Sequence, residues 1–304
     1  MRFRIWLLSL TVFMVQNSAV SMASQSASLR CLTFNVLHGG VFSGLVGNGQ
    51  ELDHRLDILL EELRGFDVDI LGLQEASTGD GRGNVAARVA KRLGFYFVYA
   101  PASFRLFSSE RLNTVTNWVM NLTEGPAIVS RFPIKSWQAY DLPRCGRFTD
   151  PRVLLCADLD TPWGALPVCS THTSGLACHT ESIIRLTESR RGALPLLLMG
   201  DFNAPEDSPA ITALTQGAGF VDAFRIVNPG VAGQTVWQQV DAPHPTVFRR
   251  VDYLFLAPGR EVPGRVLSSR VVLNTPRRLV DGRTLWPSDH YGVLTEVQIE
   301  ARTE

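Results

Sequence analysis

The chain has 304 residues, of which 45% are hydrophobic, and it carries equal numbers of basic and acidic residues, 29 of each. This composition excludes a disordered chain, and the length is sufficient for one large core. The neutral balance also disfavours a dedicated duplex-DNA-binding protein, because neutralising phosphates normally requires a basic excess.

Residues 1–23 have the pattern of a secretory signal peptide. Two arginines precede an apolar run from Ile5 to Val15, and a polar stretch ends at Ala23. The run is shorter than the roughly 20 residues needed to span a bilayer, which favours cleavage after Ala23 over an uncleaved membrane anchor. We therefore predict a secreted or periplasmic protein. No linker interrupts the remainder, so residues 24–304 are predicted to form one domain.

Strand-like and helical segments alternate along the mature chain. In chain order, the sequence predicts a strand over 29–36, a helix over 53–63, a strand over 67–74, a helix over 85–93, strands over 95–99, 126–130, 152–159 and 166–171, a helix over 181–191 and a strand over 194–199. Residues 39–50, 79–84 and 103–124 are predicted as loops or insertions near the rim of a cleft.

The two halves of the chain repeat one arrangement. In the first, a strand ends at Asn35, a helix follows, and a second strand ends at Glu75; in the second half, the corresponding strands end at His172 and Asp201. Two such sheets packed face to face would bring these four polar residues into one cleft. This predicts an α/β sandwich with its site at one edge.

Cysteine positions divide into two kinds. Cys31, Cys156 and Cys169 lie in apolar, strand-like runs, which favours small buried hydrophobic side chains. Cys145 and Cys178 lie in polar, glycine-containing stretches, and in an exported protein this pair is a candidate disulfide between two loops.

Polar residues with catalytic potential stand at the ends of apolar runs. The segment Gly200-Asp201-Phe202-Asn203 follows a buried strand, and two residues at this spacing along a strand point the same way. Taken alone, the segment is more typical of a strand followed by a turn that an aspartate caps. Comparable positions recur through the chain: Asn35, Glu75, His172, Asp201 with Asn203, Asp252, and Asp289-His290.

In this order, four motifs resemble those of the endonuclease/exonuclease/phosphatase superfamily, which includes DNase I, AP endonucleases of the exonuclease III type, inositol polyphosphate 5-phosphatases and neutral sphingomyelinases. The motifs are Gln74-Glu75, Thr171-His172, Gly200-Asp201-Phe202-Asn203 and Ser288-Asp289-His290. The resemblance covers essentially the whole mature chain. It implies a DNase I-like, four-layer α/β sandwich with two mixed sheets, and hydrolysis of a phosphodiester by metal-assisted attack of water.

The resemblance also implies a metal site. Glu75 would be the principal ligand of Mg²⁺, or of Mn²⁺ as the second candidate, with Asn35 beside it and Asp289 contributing directly or through water. Carboxylate, amide and water oxygens are the ligands that such hard cations prefer.

Five further residues receive catalytic roles from the resemblance. Asp201 would orient or deprotonate the attacking water, and Asn203 would hold a phosphate oxygen. His172 and His290 would flank the phosphate, while Asp252 would fix the tautomer of His290. The resemblance does not indicate which group protonates the leaving oxygen.

Two other residues near these motifs have open interpretations. His38 follows the first strand and is equally consistent with a substrate or metal contact and with a turn residue. Arg55 in the first predicted helix is expected to form a salt bridge near the site rather than to take part in the chemistry.

Motifs that differ between subclasses of the superfamily restrict the range of expected substrates. The Trp-Cys-Asp-Arg segment of inositol phosphatases is absent around Asp252, AP endonucleases are intracellular, and Glu124 stands where DNase I-like enzymes carry a DNA-gripping arginine. Secreted bacterial sphingomyelinases resemble the chain in the Ser130–Ile134 segment and in a disulfide that corresponds to Cys145 and Cys178.

We therefore predict a monomeric enzyme that acts on a small-molecule or lipid phosphodiester, in a phospholipase C-like reaction, with a membrane surface as a candidate partner. The membrane-inserting hairpin of such toxins is not evident between Tyr253 and Asp289. A secreted non-specific endonuclease, with nucleic acid as its partner, is a less favoured alternative. A non-catalytic binding protein on the same fold is disfavoured because every expected catalytic position is filled.

Overall fold

The structure, a computed structural model, describes residues 26–38, 51–79, 82–102, 109–119, 123–146 and 150–300. The predicted signal peptide and the predicted loop over 39–50 lie outside these residues. None of the helices in the described ranges combines the length and apolar character needed to cross a membrane.

Strands and short helices alternate through most of the described chain. In order, these elements are β1 (Ser26–Asn35), α1 (Leu52–Phe66), β2 (Ile70–Gly79), β3 (Gly83–Asn84), α2 (Val85–Leu93), β4 (Tyr96–Tyr99), α3 (Glu110–Val119), β5 (Glu124–Ser130), β6 (Ile134–Asp141), β7 (Val153–Thr161), β8 (Gly164–His172), α4 (Ala177–Glu188), β9 (Leu196–Asp201), α5 (Pro209–Thr212), β10 (Val221–Asp222), α6 (Ala223–Val227), β11 (Asp252–Ala257), β12 (Arg265–Val272), β13 (Arg277–Arg278), β14 (Thr284–Leu285) and β15 (Gly292–Glu300). A single π-helical turn, Ala213–Gly217, follows α5.

Two mixed sheets form the centre of the molecule. Within the described residues, the first has the order β12-β15-β1-β2-β5-β4, with β3 paired to β2, and the second has the order β10-β11-β9-β8-β7-β6. β1 and β2 are parallel, as are β8 and β9, whereas the neighbouring pairs are antiparallel. The predicted repetition of one arrangement in both halves is confirmed by these two parallel pairs.

The two sheets and the helices outside them form four layers, and three apolar clusters lie between these layers. One cluster lies between the sheets, where Cys31 and Ile70 of the first sheet meet Leu155 and Leu197 of the second. A second cluster covers the other face of the first sheet with α1 and α2, and a third covers the second sheet with α4 and α5. The predicted four-layer α/β sandwich is confirmed.

The sheets approach each other closely near the cleft. A Cβ atom placed on Gly72 would lie only 2.8 Å from the Cβ of Met199 in the facing sheet. Between the sheets, Gln74 Nε2 donates to Ser170 Oγ at 3.2 Å, and Ser170 Oγ donates to the Leu73 carbonyl at 3.2 Å. This buried polar contact joins the sheets directly beneath the site residues.

Local sequence signals explain the helices that were predicted. In α1, the face containing Leu56, Leu59, Leu60 and Leu63 is buried, as the helical spacing indicated. α2 begins after Asn84, whose side chain accepts a hydrogen bond from the Ala87 amide. The predicted helix over 181–191 starts earlier than expected, at Ala177, and ends at Glu188.

The segment over 103–124, predicted as a loop or an insertion, contains the helix α3 at Glu110–Val119. Its buried side chains include Asn113 and Asn117, one helical turn apart and 6% and 4% exposed. An inward face that carries asparagines produces no apolar periodicity, so the sequence did not indicate a helix here.

The cysteines form two disulfides in the described residues. The predicted Cys145–Cys178 pair is confirmed, with a Cα–Cα distance of 6.2 Å. Cys156 and Cys169 are buried, as predicted, but they also form a disulfide across β7 and β8, with Cα atoms 4.0 Å apart. Cys31 is buried and free. Both disulfides therefore lie in the second half of the chain.

Candidate active site

The cleft lies at one edge of the sandwich, where both parallel strand pairs deliver polar residues. Asn35 aligns with Gln74 on β1 and β2, and His172 aligns with Asp201 on β8 and β9. β11 begins at Asp252, directly opposite Asp201, so a third strand contributes a carboxylate to the same place. Because the sheets pack face to face, the two strand edges form the walls of one cleft.

Asp201 lies at the centre of the cleft and is only 1% exposed. Its Oδ2 accepts a hydrogen bond from Asn35 Nδ2 at 3.1 Å and lies 3.3 Å from His172 Nε2 and 3.7 Å from His290 Nε2. Burial, opposed by the positive charge of His290, raises the pKa of Asp201 to about 7. A carboxyl group with a pKa near neutrality is suited to exchanging a proton with water at physiological pH.

His290 is held by Asp252. The Nδ1 of His290 lies 2.9 Å from Asp252 Oδ2, and because a carboxylate only accepts, this ring nitrogen is the donor. Burial opposes protonation, yet the negative charges of Asp252 and Asp201 raise the pKa of His290 to about 10. His290 is therefore an imidazolium at neutral pH, and this contact is the one expected for Asp252.

Asn203 reaches the cleft through a turn. β9 ends at Asp201, and Asn203 has a φ of 51°, in the left-handed region that asparagine tolerates better than most residues. Asp201 Oδ1 accepts a hydrogen bond from the Asn203 amide at 2.9 Å, which stabilises the turn. The sequence spacing suggested that Asn203 and Asp201 point the same way because they are two residues apart on one strand. In the structure, the turn after β9 directs Asn203 into the site instead. The segment is both a capped turn and part of the site.

The orientation of Asn203 defines the state of His172. Asn203 Nδ2 donates to the Thr173 carbonyl at 3.0 Å and lies 2.9 Å from His172 Nε2, so this ring nitrogen accepts. Burial, followed by the positive charge of Arg152, lowers the pKa of His172 well below its ordinary value. His172 is therefore neutral, with its proton on Nδ1.

Asn35 connects the two halves of the site. Its Oδ1 accepts a hydrogen bond from the Leu37 amide at 3.0 Å, which directs Nδ2 toward Glu75 Oε1 and Asp201 Oδ2, each at 3.1 Å. Asn35 lies beside Glu75, as predicted. In this arrangement it donates to both carboxylates, and binding a cation through Oδ1 would require the amide to rotate.

Glu75 occupies a bulge in β2 rather than the end of the strand that the sequence predicted. The pairing of β2 with β5 shifts by one residue between Leu73 and Ala76, and Glu75 has a φ of 54°. A β-bulge re-aims a side chain without ending the strand, which here continues to Gly79. The bulge therefore turns Glu75 toward the cleft.

His38 lies between two carboxylates. Its Nδ1 is 2.6 Å from Glu75 Oε2 and 2.9 Å from Glu124 Oε2, and its amide donates to Glu75 Oε2 at 3.2 Å. Although burial opposes protonation, the hydrogen bonds to Glu124 and Glu75 raise the pKa of His38 to about 10. Burial alone would raise the pKa of Glu75, but the hydrogen bond from His38, the positive charge of His38 and the hydrogen bond from Asn35 hold it well below its ordinary value.

Asp289 provides a second carboxylate near Glu75. Burial, and also the negative charge of Glu75, raise the pKa of Asp289, while His290 opposes the shift. The Ser288 hydroxyl donates to the Asn35 carbonyl at 2.7 Å, which joins the segment carrying Asp289 to the end of β1. Two mutually repelling carboxylates with oxygen donors are a suitable set for a hard divalent cation. Glu75 and Asp289 thus carry the donor type that such a cation prefers.

The structure thus brings all eight predicted site residues to one cleft. Arg152 was missed by the sequence reasoning, although its guanidinium influences His172 and it lines a small cavity with Glu124 and His172. Arg152 Nε donates to Ser174 Oγ at 3.3 Å. A lone arginine at the start of a strand carries no sequence signal that distinguishes it from a surface residue.

This fold and cleft are those of a phosphoesterase-type hydrolase. The family model described as the endonuclease/exonuclease/phosphatase family matches residues 32–290. The chain belongs to this family, whose members hydrolyse phosphoester bonds. No match to the chain was found among curated proteins.

Solved structures of the same architecture support the fold. An endonuclease/exonuclease/phosphatase family protein from Bacteroides thetaiotaomicron has a TM-score of 0.70 at 18% identity, covering 91% of this chain and 99% of its own. A mannosyl-6-phosphatase from the same organism has a TM-score of 0.65 at 18% identity, covering 88% and 99%. D. rerio TDP2 complexed with a single-strand DNA product has a TM-score of 0.61 at 17% identity, covering 89% and 99%. At such identities the similarity shows the fold alone.

Proposed function

We propose that the protein is an exported, divalent-cation-dependent phosphodiesterase that cleaves its substrate by attack of water. The observation that carries this proposal is the convergence of Asp201 with the Asp252–His290 pair in one buried cleft, where His290 Nε2 lies 3.7 Å from Asp201 Oδ2 and His290 Nδ1 lies 2.9 Å from Asp252 Oδ2. At neutral pH this arrangement offers a proton acceptor and a cationic donor side by side, which hydrolysis of an anionic ester requires.

The residues of the cleft have separate tasks in this reaction. Asp201 orients the attacking water and accepts its proton, and Nε2 of His290 donates a hydrogen bond to a phosphate oxygen. Asn203 Nδ2 would hold a second phosphate oxygen by giving up its hydrogen bond to His172 when substrate binds. Asp252 keeps His290 protonated and oriented. Neutral His172 lies beside Asp201 and Asn203, where it binds substrate or relays a proton.

Glu75 and Asp289 would hold the cation, Mg²⁺ in our proposal, with Asn35 beside them and His38 and Glu124 adjoining Glu75. When bound, a divalent cation neutralises negative charge on the phosphate and so favours attack by water. Export is supported by the two disulfides, which are typical of oxidising compartments, and by the signal-like pattern of residues 1–23.

The substrate we favour is a small-molecule or lipid phosphodiester. The Cys145–Cys178 disulfide supports the likeness to secreted sphingomyelinases, and Glu124 adds negative charge where a DNA-cleaving relative would place an arginine. A carboxylate at this point of the cleft repels a polyanion, which disfavours the nuclease alternative.

The direct test is hydrolysis of bis-p-nitrophenyl phosphate by the purified mature chain with Mg²⁺ or Mn²⁺. We expect turnover that EDTA abolishes and that added cation restores. Negligible turnover with either cation would reject the enzymatic proposal and favour a binding protein on the same fold.

A parallel assay distinguishes the substrates. Sphingomyelin, a lysophospholipid, plasmid DNA, single-stranded RNA and mannose 6-phosphate should be compared at equal enzyme and cation concentration. We expect sphingomyelin and the lysophospholipid to be hydrolysed fastest. Cleavage of plasmid or RNA alone would establish a nuclease, and cleavage of mannose 6-phosphate alone would establish a phosphomonoesterase.

A further inference from the structure

Arg55 is a buried arginine that the proposed chemistry does not use. It lies in α1 and is only 1% exposed. Its Nη1 donates to the carbonyls of Val36 at 2.7 Å and Pro287 at 3.2 Å, and its Nη2 donates to the carbonyl of Leu37 at 2.8 Å. One side chain therefore binds two chain segments that are far apart in sequence.

Both segments carry residues of the proposed metal pocket. Val36 and Leu37 directly follow Asn35 and precede His38, whereas Pro287 lies two residues before Asp289. The planar guanidinium presents several N–H groups in fixed directions, so carbonyls that share it are held at a defined spacing. The distance between the Glu75 side and the Asp289 side of the pocket thus depends on this side chain.

The backbone that Arg55 holds is in an unfavourable conformation. Leu37 has a φ of 51°, in the left-handed region, which disfavours residues with a side chain. The Leu37 amide is held by Asn35 Oδ1 and its carbonyl by Arg55. The resulting turn places the His38 amide and ring against Glu75.

A guanidinium is an expensive group to bury, since a leucine or methionine would fill the same space without desolvating a charge. Burial lowers the pKa of Arg55 to about 10, against the opposing influence of Asp289 and Glu75, so the group remains charged at neutral pH. The charge lies near both carboxylates, where it offsets their repulsion in the absence of a cation.

We propose that Arg55 is the positioning residue of the metal pocket, which holds the segment from Asn35 to His38 and the segment of Asp289 at the spacing that a divalent cation requires. This inference rests on the proposed function, because it assumes a cation between Glu75 and Asp289. Arg55 acts through these residues and does not itself contact cation or substrate.

The test is the dissociation constant for Mn²⁺, measured by titration calorimetry on the mature chain. We expect Arg55→Met to weaken Mn²⁺ binding by about 10- to 100-fold, the usual effect of removing a group that orients metal ligands. Arg55→Lys, which keeps the charge but not the planar fork, should restore part of this loss. Arg88→Met is the matched control, because Arg88 forms an exposed ion pair with Asp53 and should leave the affinity unchanged.

The direction in which the Mn²⁺ affinity changes distinguishes a positioning role of Arg55 from a purely electrostatic effect of its charge. Removing a nearby positive charge without disturbing the pocket would tighten Mn²⁺ binding, so unchanged or tighter binding in a folded Arg55→Met variant would overturn the inference. Should Arg55→Met fail to fold, as judged by circular dichroism, Arg55→Lys carries the test, and an affinity equal to that of the unaltered chain would refute it. Absence of Mn²⁺ binding in the unaltered chain would instead reject the proposed function.

Discussion

The first half of the chain and the second half each contain a parallel strand pair that carries an acid at the cleft. The pKa values of the two acids are shifted in opposite directions. At the β1–β2 edge, Glu75 lies against the protonated His38, and its pKa is held well below the ordinary value. At the β8–β9 edge, Asp201 lies beside the neutral His172, and burial raises its pKa to about 7. A permanently ionised acid suits a cation, whereas an acid that titrates near neutrality suits proton transfer.

The difference arises from neighbours and not from strand geometry. Both acids are delivered to the cleft by the second strand of a parallel pair, Glu75 by a bulge and Asp201 at the end of its strand. Their neighbours differ, because His38 beside Glu75 is protonated and His172 beside Asp201 is neutral. Asn35 donates to both carboxylates and thereby fixes one half relative to the other. Two similar strand pairs therefore present acids with different properties, because the residues around them differ.

The largest expected effect comes from removing the titrating acid of the second half. Asp201→Asn should lower kcat for bis-p-nitrophenyl phosphate by about 10³-fold, because the amide cannot accept the proton of water. Its Mn²⁺ dissociation constant should change little. Asp160→Asn alters an exposed acid on β7 and serves as the control. Retention of more than a tenth of kcat in Asp201→Asn would contradict the role assigned to Asp201.

Removing the ionised acid of the first half should act on the cation instead. Glu75→Gln is expected to weaken Mn²⁺ binding by on the order of 100-fold, since a charged oxygen ligand is replaced by a neutral one. Calorimetry would measure this, with Glu181→Gln, an exposed acid of α4, as the control. If Glu75→Gln bound Mn²⁺ normally but had no activity, the division of labour between the halves would be refuted.

The pH dependence of kcat/KM should report the second half of the site. Activity should fall about tenfold per pH unit below pH 7, where Asp201 becomes protonated, and fall again above about pH 10, where His290 loses its proton. Asp252→Asn removes the negative charge that raises the pKa of His290, so the alkaline limb should move toward neutral pH by about one unit or more. An unmoved alkaline limb would show that another group controls it.

The smallest effect on catalysis is expected from the disulfides, which lie only in the second half among the described residues. Replacing Cys145 and Cys178 by serine should lower the free energy of unfolding by about 3 kcal/mol, as expected for a closed loop of this length. Denaturant unfolding would measure the loss, and kcat of the folded variant should stay within about threefold. A large loss of kcat without destabilisation would place this loop in the active site.

Much of the fold and of the site was predictable because the chemistry-bearing residues terminate apolar runs. The run before Asp201 and the run before His172 are continuous and buried, so their ends mark one edge of a sheet. The helical face of α1 was equally clear from its leucines. Such signals depend only on neighbouring residues, so they can be recognised without knowing which segments pack against them.

Features that depend on distant segments were not predictable. The rotation of the Asn35 amide follows from the left-handed turn at Leu37, and the bulge at Glu75 follows from the register of β5. The disulfide between Cys156 and Cys169 depends on the register of a hairpin that closes tightly between Thr161 and Gly164. A strand pattern alone does not supply this register.

Gly72 lies at a close contact between the two sheets. It stands three residues before Glu75, and its backbone meets Met199, two residues before Asp201, with no room for a methyl group between them. The Gly72–Met199 contact is therefore one of the contacts that limit how closely the two catalytic walls approach. A side chain introduced there would force Met199 or one of the sheets to shift, so the spacing between the strands that carry Glu75 and Asp201 is sensitive to the residue at position 72.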